Sequence, residues 1–334
     1  MSETVTEIVA RAPTRLDFGG GWTDVPPYCD EEGGQVCNVA IARHATVRLR
    51  PLGDGDEDAS GGRAPDARLA AASLRRAGLH ARVRAEVTSD FPVGAGLGGS
   101  SAAGVALAAA IAAWRGTLAP GAAPDHATRD ALAEWSRAVE VEDAGIAGGR
   151  QDHYAAAHGG ALHLTFGAAA GDRPAAAHPL ALSDATVDAL ERRALVIYTG
   201  ESRISGDTIT AVLDAYRART PRVVDALRRM GALAREMSDA LASGDLDALG
   251  AQLAEHWTHQ RALHPSITTP RIDAIMECAA RAGALGAKAL GASGGGCVVV
   301  LAADGREDEL EASIEGLGIA LPFSIDRVGV CVER

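Results

Sequence analysis

The chain has 334 residues, 47% hydrophobic and 23% charged, which is ordinary for a globular protein and allows one large or two moderate domains. Acidic residues outnumber basic ones 44 to 32, a formal net charge of −12. That balance argues against a nucleic-acid partner, because such binding rests on neutralising phosphates with a basic surface. Lys288 is the only lysine. A Walker A loop, which needs Gly-Lys-Ser/Thr, and a protein-kinase site, which needs a strand lysine and a His-Arg-Asp loop, are therefore both excluded.

Taken in chain order, residues 4–17 alternate loosely and predict an opening strand running into Gly19-Gly20-Gly21. Residues 35–51 predict further strands, and the glycine and charge run at 53–66 predicts a solvated loop. A helix at 69–77 and a strand at 80–88 follow, then a break at Phe91-Pro92 and a glycine-rich turn. An alanine-rich helix is expected over 101–114, a helix over 127–143, a short helix over 152–157 and a strand over 161–166. The Ala/Gly/Pro stretch at 168–178 reads as a seam, dividing the chain into domains 1–175 and 176–334. The second part opens with a strand at 194–198 and continues with helices at 208–218, 221–242, 246–262 and 270–283. It closes with a glycine run at 291–296, a strand at 297–301 and a final strand near 325–332. Strands and helices intermix without a βαβ rhythm, so the fold class expected is α+β in two domains.

Cys29, Cys37, Cys278, Cys297 and Cys331 form no Cys-x-x-Cys pair, so neither a disulfide framework nor a zinc site is expected and a reducing, cytoplasmic setting is. The first residues have no basic and apolar signal pattern, and the longest apolar run, 102–114, is too short to span a bilayer. No membrane partner is expected. His256, His259 and His264 lack metal-site spacing and read as a solvated helix face.

The segment Pro92-Val-Gly94-Ala-Gly96-Leu97-Gly98-Gly99-Ser100-Ser101-Ala102 lies between a predicted strand and a predicted helix. Glycines allow close approach to the backbone, and a helix N-terminus offers free N–H groups with a positive dipole end, so this is an anion-binding pattern. Gly94, Gly96 and Gly99 also fit the dinucleotide fingerprint, but Pro92 interrupts the strand and a Pro/Gly loop follows the helix, which disfavours an oxidoreductase.

Arg11-Ala-Pro-Thr-Arg15-Leu-Asp17-Phe-Gly-Gly20-Gly21-Trp22-Thr23-Asp24-Val-Pro-Pro-Tyr28, the glycine loop and Gly286-Ala-Lys288-Ala-Leu-Gly-Ala-Ser-Gly294-Gly295-Gly296-Cys resemble, in order, the three motifs of the GHMP kinases. Within that superfamily, Gly-Gly-Trp-Thr-Asp-Val-Pro-Pro-Tyr and Gln151-Asp152-His153-Tyr154 are similar to the D-glycero-D-manno-heptose 7-phosphate kinases and bacterial L-fucokinases. The resemblance implies a ribosomal protein S5 domain 2-like N-terminal domain and a ferredoxin-like C-terminal domain. It also implies a sugar 1-kinase using ATP and Mg²⁺, acting on a small sugar or sugar phosphate as monomer or homodimer.

By the same resemblance, Asp152 is the general base and Arg15 the arginine that steadies it and the moving phosphate. Pro92, Gly94, Gly96, Leu97, Gly98, Gly99, Ser100, Ser101 and Ala102 would hold ATP. Ser100 and Glu142 would hold Mg²⁺, with Glu140 as the alternate acid. Gly20, Gly21, Trp22, Thr23, Asp24, Tyr28, Gly294 and Gly295 would meet the sugar. Arg203 and Lys288 are candidates for a substrate phosphate, with Arg43 and His44 behind them. Four departures from the family pattern stand out: Gly99 for Ser/Thr, Ser293 for glycine, Cys297 for an aromatic residue and His153 for glutamine.

Overall fold

The computed structural model describes residues 7–53, 65–201 and 206–333. Strand β1 (Ile8–Gly19) and the long strand β2 (Gly34–Pro51) run antiparallel, joined through the short helix α1 (Tyr28–Glu32). Helix α2 (Pro65–Arg76), strand β3 (Val83–Ser89) and helix α3 (Gly99–Trp114) follow. Then come α4 (His126–Ala138), which continues into a π-helical turn at Val139–Asp143, and α5 (Gln151–His158). Strands β4 (Ala161–Phe166) and β5 (Ala175–Leu180) complete the first part. The length of β2 lets it serve two partners on one side: residues 45–51 pair with β3 and residues 34–39 with β4.

Helix α3 is apolar all round and is buried from Ser101 to Ile111. Its run of alanines carries no bulk to hold neighbours away, so it packs against β1, β2, α4 and α5 at close range. Gly104 marks the tightest approach, since a Cβ there would come within 2.3 Å of Ser136 Oγ on α4.

The remaining elements are α6 (Asp184–Arg193), β6 (Ala194–Tyr198), α7 (Gly206–Arg217), α8 (Pro221–Ser243), α9 (Leu246–Leu263) and α10 (Pro270–Arg281), then β7 (Ala284–Ala289), β8 (Cys297–Ala302), α11 (Glu307–Ile314), β9 (Ile319–Ala320) and β10 (Cys331–Val332). Among the described residues a second, four-stranded antiparallel sheet has the order β7-β8-β6-β9. Helix α8 buries Val223, Leu227, Met230, Ala234, Met237 and Leu241, a three- and four-residue spacing that makes one apolar stripe, and it lies on β1, β2 and β4 of the first sheet.

The fold class is α+β, as expected. The stretch 168–178 holds more structure than a seam: β5 starts at Ala175 and pairs with β4, so a division after residue 175 runs through a strand. Ala175-Ala176-Ala177 is buried and carries no alternation of apolar and polar side chains, which hides the strand from a periodicity reading. Likewise β10, at the end of the chain, pairs with β1 and joins the first sheet. Helices α1, α6 and α11 and strand β7 add to the expected elements; α6 has a sequence signal, the Ser183 hydroxyl accepting from Thr186 N–H as an N-cap.

Candidate active site

A cavity of about 490 Å³ opens where β1, the glycine loop and the N-termini of α3 and α5 meet. Residues 92–101 all line it, whereas Ala102, expected among them, is fully buried inside α3. Gly94, Gly96 and Gly98 have φ of 73°, 73° and 76°, the left-handed region that favours glycine. Gly98 is the N-cap of α3 and among the described residues no side chain caps that helix, so its first N–H groups face the cavity rather than a serine hydroxyl. Gly99 is explained by Phe91: a Cβ at that position would lie 2.4 Å from the ring.

Arg15 is 3% exposed and ties three elements together. Its Nε donates to Asp152 Oδ1 at 2.8 Å with Nη2 2.7 Å from the same oxygen in an ion pair, and its Nη1 donates to the Gly96 carbonyl at 2.6 Å. Asp152 is thus in the first turn of α5 without being its cap. The cap comes from a distant part of the chain: Asp24 Oδ2 accepts from the N–H of Arg150 at 2.9 Å and of Gln151 at 3.0 Å. Burial pushes the Asp24 carboxyl up to about 6; the nearby charges of Asp152 and Asp17 add to this and the Gln151 N–H opposes it.

The acid beside the serines is Glu140, which corrects the assignment of Glu142. Ser100 Oγ donates to Glu140 Oε1 at 2.5 Å and Ser101 Oγ to Oε2 at 3.3 Å, while His153 Nε2 lies 2.9 Å from Oε2. Ser136 Oγ, 3.0 Å from His153 Nδ1, orients the ring from behind. Burial raises the Glu140 carboxyl, but the contacts from His153 and both serines outweigh it and the net direction is down. Glu142 points to the surface, 58% exposed, and pairs with Arg76 at 3.3 Å. The sequence held the signal: Leu132 and Ser136 on α4 and Glu140 in the turn that continues it are spaced by four and all buried, and Glu142 is out of that series.

Gly21, Trp22 and Asp24 line the cavity, but other residues assigned to the sugar do not. Thr23 is fully buried, its hydroxyl donating to the carbonyls of Gly20 at 2.6 Å and Gln35 at 2.9 Å. Gly20 has φ 83° and donates its N–H to His256 Nε2 at 2.9 Å. Tyr28 packs edge-on against Tyr216 in the core, ring centroids 5.4 Å apart. Gly294 donates its N–H to Ile267 O at 2.9 Å, and a Cβ on Gly295 would lie 2.7 Å from Glu201 O, so both shape the third glycine run; Gly291 and Ala292 reach the cavity instead.

Lys288 is fully buried, with Nζ 3.1 Å from Asp17 Oδ2 and donating to the Asp17 carbonyl at 2.6 Å, which leaves it unable to meet a substrate phosphate. Arg43 donates to the Pro322 and Asp90 carbonyls, and His44 Nε2 is 2.8 Å from Asp326 Oδ2. Arg203 lies outside the described residues. Ser293 adopts φ 68° and accepts from Gln260 Nε2 at 3.0 Å, which is how a serine holds a glycine-like turn here. Arg68, Phe91, Ile209 and the segment Ile146-Ala-Gly-Gly149 also line the cavity, with no motif to announce them.

Bare helix-terminal N–H groups, a serine–carboxylate pair and an aspartate locked to an arginine around one cavity are the parts of a phosphoryl-transfer enzyme. The chain belongs to the GHMP kinases: residues 67–160 match the GHMP kinases N terminal domain and residues 237–316 the GHMP kinases C terminal family. The enzyme is accordingly a phosphotransferase with a hydroxyl acceptor.

A D-glycero-alpha-D-manno-heptose 7-phosphate kinase of Campylobacter jejuni is 26% identical, covering 97% of this chain and 98% of its own. A bifunctional fucokinase/GDP-fucose pyrophosphorylase of Arabidopsis thaliana is also 26% identical over 91% of this chain, which spans only 30% of that longer protein. Among solved structures, a D-glycero-D-manno-heptose 1-phosphate kinase from Bacteroides thetaiotaomicron matches 98% of this chain and 99% of its own with a TM-score of 0.74 at 23% identity. Lactococcus lactis galactokinase with galactose matches 99% and 96% with a TM-score of 0.71 at 16% identity.

Proposed function

We propose that the protein is an ATP- and Mg²⁺-dependent sugar 1-kinase that phosphorylates the anomeric hydroxyl of D-glycero-D-manno-heptose 7-phosphate to give the 1,7-bisphosphate. The observation that carries the reading is the Asp152–Arg15 pair held beside the uncapped N-terminus of α3. That helix end and the glycines before it fit a triphosphate, because a side chain at Gly96 or Gly98 would close on Leu290 O or Asp152. Ser100 and Glu140 are hard oxygen donors at the cavity wall and would hold Mg²⁺. When bound, the ion neutralises charge on the transferring phosphates.

Arg15 occupies only Oδ1 of Asp152, leaving Oδ2, on the side facing Gly98, to take the proton of the sugar hydroxyl. Among the described residues, Asp17 Oδ1, Trp22 Nε1 and Gln151 Oε1, all in residues lining this cavity, are buried without a hydrogen-bond partner, which suits a ligand carrying several hydroxyls.

One observation favours a second reading, L-fucokinase or another kinase of unphosphorylated aldoses: among the described residues the cations lining the cavity are Arg15, already committed to Asp152, and Arg68. ADP release measured on heptose 7-phosphate, L-fucose and galactose separates the two. Turnover confined to unphosphorylated sugars overturns the first reading. Asp152→Asn is expected to lower kcat by about 10²–10⁴-fold with ATP binding retained. Wild-type ATP and sugar binding without turnover on any sugar would point to a non-catalytic sensor.

A further inference from the structure

Away from the cavity, two helices bring together three metal-ligating side chains. His126 and Asp130 are four residues apart on α4 and share a face. His158, the last residue of α5, meets them from the side. His158 Nε2 lies 2.8 Å from Asp130 Oδ1 and His126 Nε2 lies 3.9 Å from Asp130 Oδ2; the three ligand atoms all fall within 4.8 Å of one another. None of the three lines the catalytic cavity.

We propose that His126, Asp130 and His158 form a second metal site, for a divalent transition ion of the zinc class. Two imidazoles and a carboxylate are a three-ligand set that leaves a fourth position to water. Imidazole nitrogen selects such ions over Mg²⁺ and Ca²⁺, which take oxygen ligands. Donors about 2.1 Å from a tetrahedral ion stand about 3.4 Å apart, so the site closes by small movements of side chains. His126, at the exposed first residue of α4, supplies both the adjustable ligand and the entry path.

The inner ligand is held from behind. The Tyr154 ring stacks on His158 with 2° between planes, and Arg129 donates to the carbonyls of Ala157 and His158, fixing the end of α5. Arg173, 3.8 Å from Asp130 Oδ2, has an exposed side chain that can withdraw into solvent as an ion enters. The ion would pin the far end of the helix whose first turn carries Asp152, so its effect is on stability rather than on the reacting groups.

The test is titration of the full-length, chelator-treated protein with Zn²⁺ by calorimetry, together with thermal melts and Co²⁺ visible absorption. Wild type is expected to bind Zn²⁺, to melt several degrees higher with it, and to give the intense Co²⁺ bands of a four- or five-coordinate site. His126→Ala removes an exposed side chain, so it is expected to fold and keep its basal kinase activity while losing one equivalent of Zn²⁺, the melt shift and the Co²⁺ bands. Asp130→Asn is expected to weaken binding at least about tenfold, and Mg²⁺ is expected to give no shift through this site. The proposal is overturned if wild type binds no Zn²⁺, or if His126→Ala and Asp130→Asn bind it as wild type does.

Discussion

Lys288 and Asp17 form a pair with 0% and 2% side-chain exposure, and Asp17 Oδ1 has no hydrogen-bond partner among the described residues. Burial lowers the Lys288 pKa and the Asp17 carboxylate opposes that shift. Removing one partner strands the other as a buried charge, so Lys288→Met is expected to cost about 3–5 kcal/mol, read by urea denaturation. The Asp17→Asn, Lys288→Met double variant should recover part of the loss. Asp24 gives a pH signature. An acid raised from 3.8 in the unfolded chain to about 6 when folded binds protons more tightly in the folded state, so its contribution to stability falls as pH rises through this window. Asp24→Asn keeps an acceptor for the two N–H groups and cannot ionise. Melts from pH 4 to 7 should show the stability of wild type falling relative to Asp24→Asn by up to about 3 kcal/mol.

At the scale of elements, the decisive feature is the π turn that ends α4. It keeps Glu140 on the face that meets Ser100 and His153 and leaves Glu142 at the surface with Arg76. Glu140→Gln is expected to raise the Mg²⁺ concentration needed for half-maximal activity by tenfold or more. Glu142→Gln should leave that requirement unchanged, because an exposed pair of this kind contributes about 0–1 kcal/mol. A Mg²⁺ titration of both variants checks the assignment. The short helix α5 shows the same logic: its cap is Asp24, 126 residues away from Arg150 in the chain, so no local sequence rule could supply it.

Across the whole molecule, the third glycine run docks backbone to backbone on the glycine loop at the start of α3. Cys297 donates its N–H to the Ala95 carbonyl at 2.8 Å, and Gly291 lies against Gly96. Gly296 has φ 77°, and a Cβ there would come within 2.8 Å of Ala95 O. Gly296→Ala therefore combines a left-handed backbone, which costs about 1–2 kcal/mol, with a displaced loop. It is expected to raise KM for ATP and lower the melting temperature; a variant with wild-type values for both would show that the two loops are not coupled.

By themselves, the residues determined the α+β class, most of the long helices, the glycine loop as a break between strand and helix and the Asp152–Arg15 pair, because periodicity, glycine runs and motif order are local properties of a chain. They could not decide which polar groups were already engaged. Thr23, Lys288, Gly294 and Gly295 carry the chemistry of a binding site, yet each is committed to the backbone or to a buried partner. Net charge behaved the same way: a chain at −12 still sets a bare helix end and a few placed side chains around one cavity, a grouping that only the packing of β1, α3, α4 and α5 brings about. The one lysine, set within a glycine motif, serves the core, because burial against Asp17 leaves its ammonium no path to the cavity.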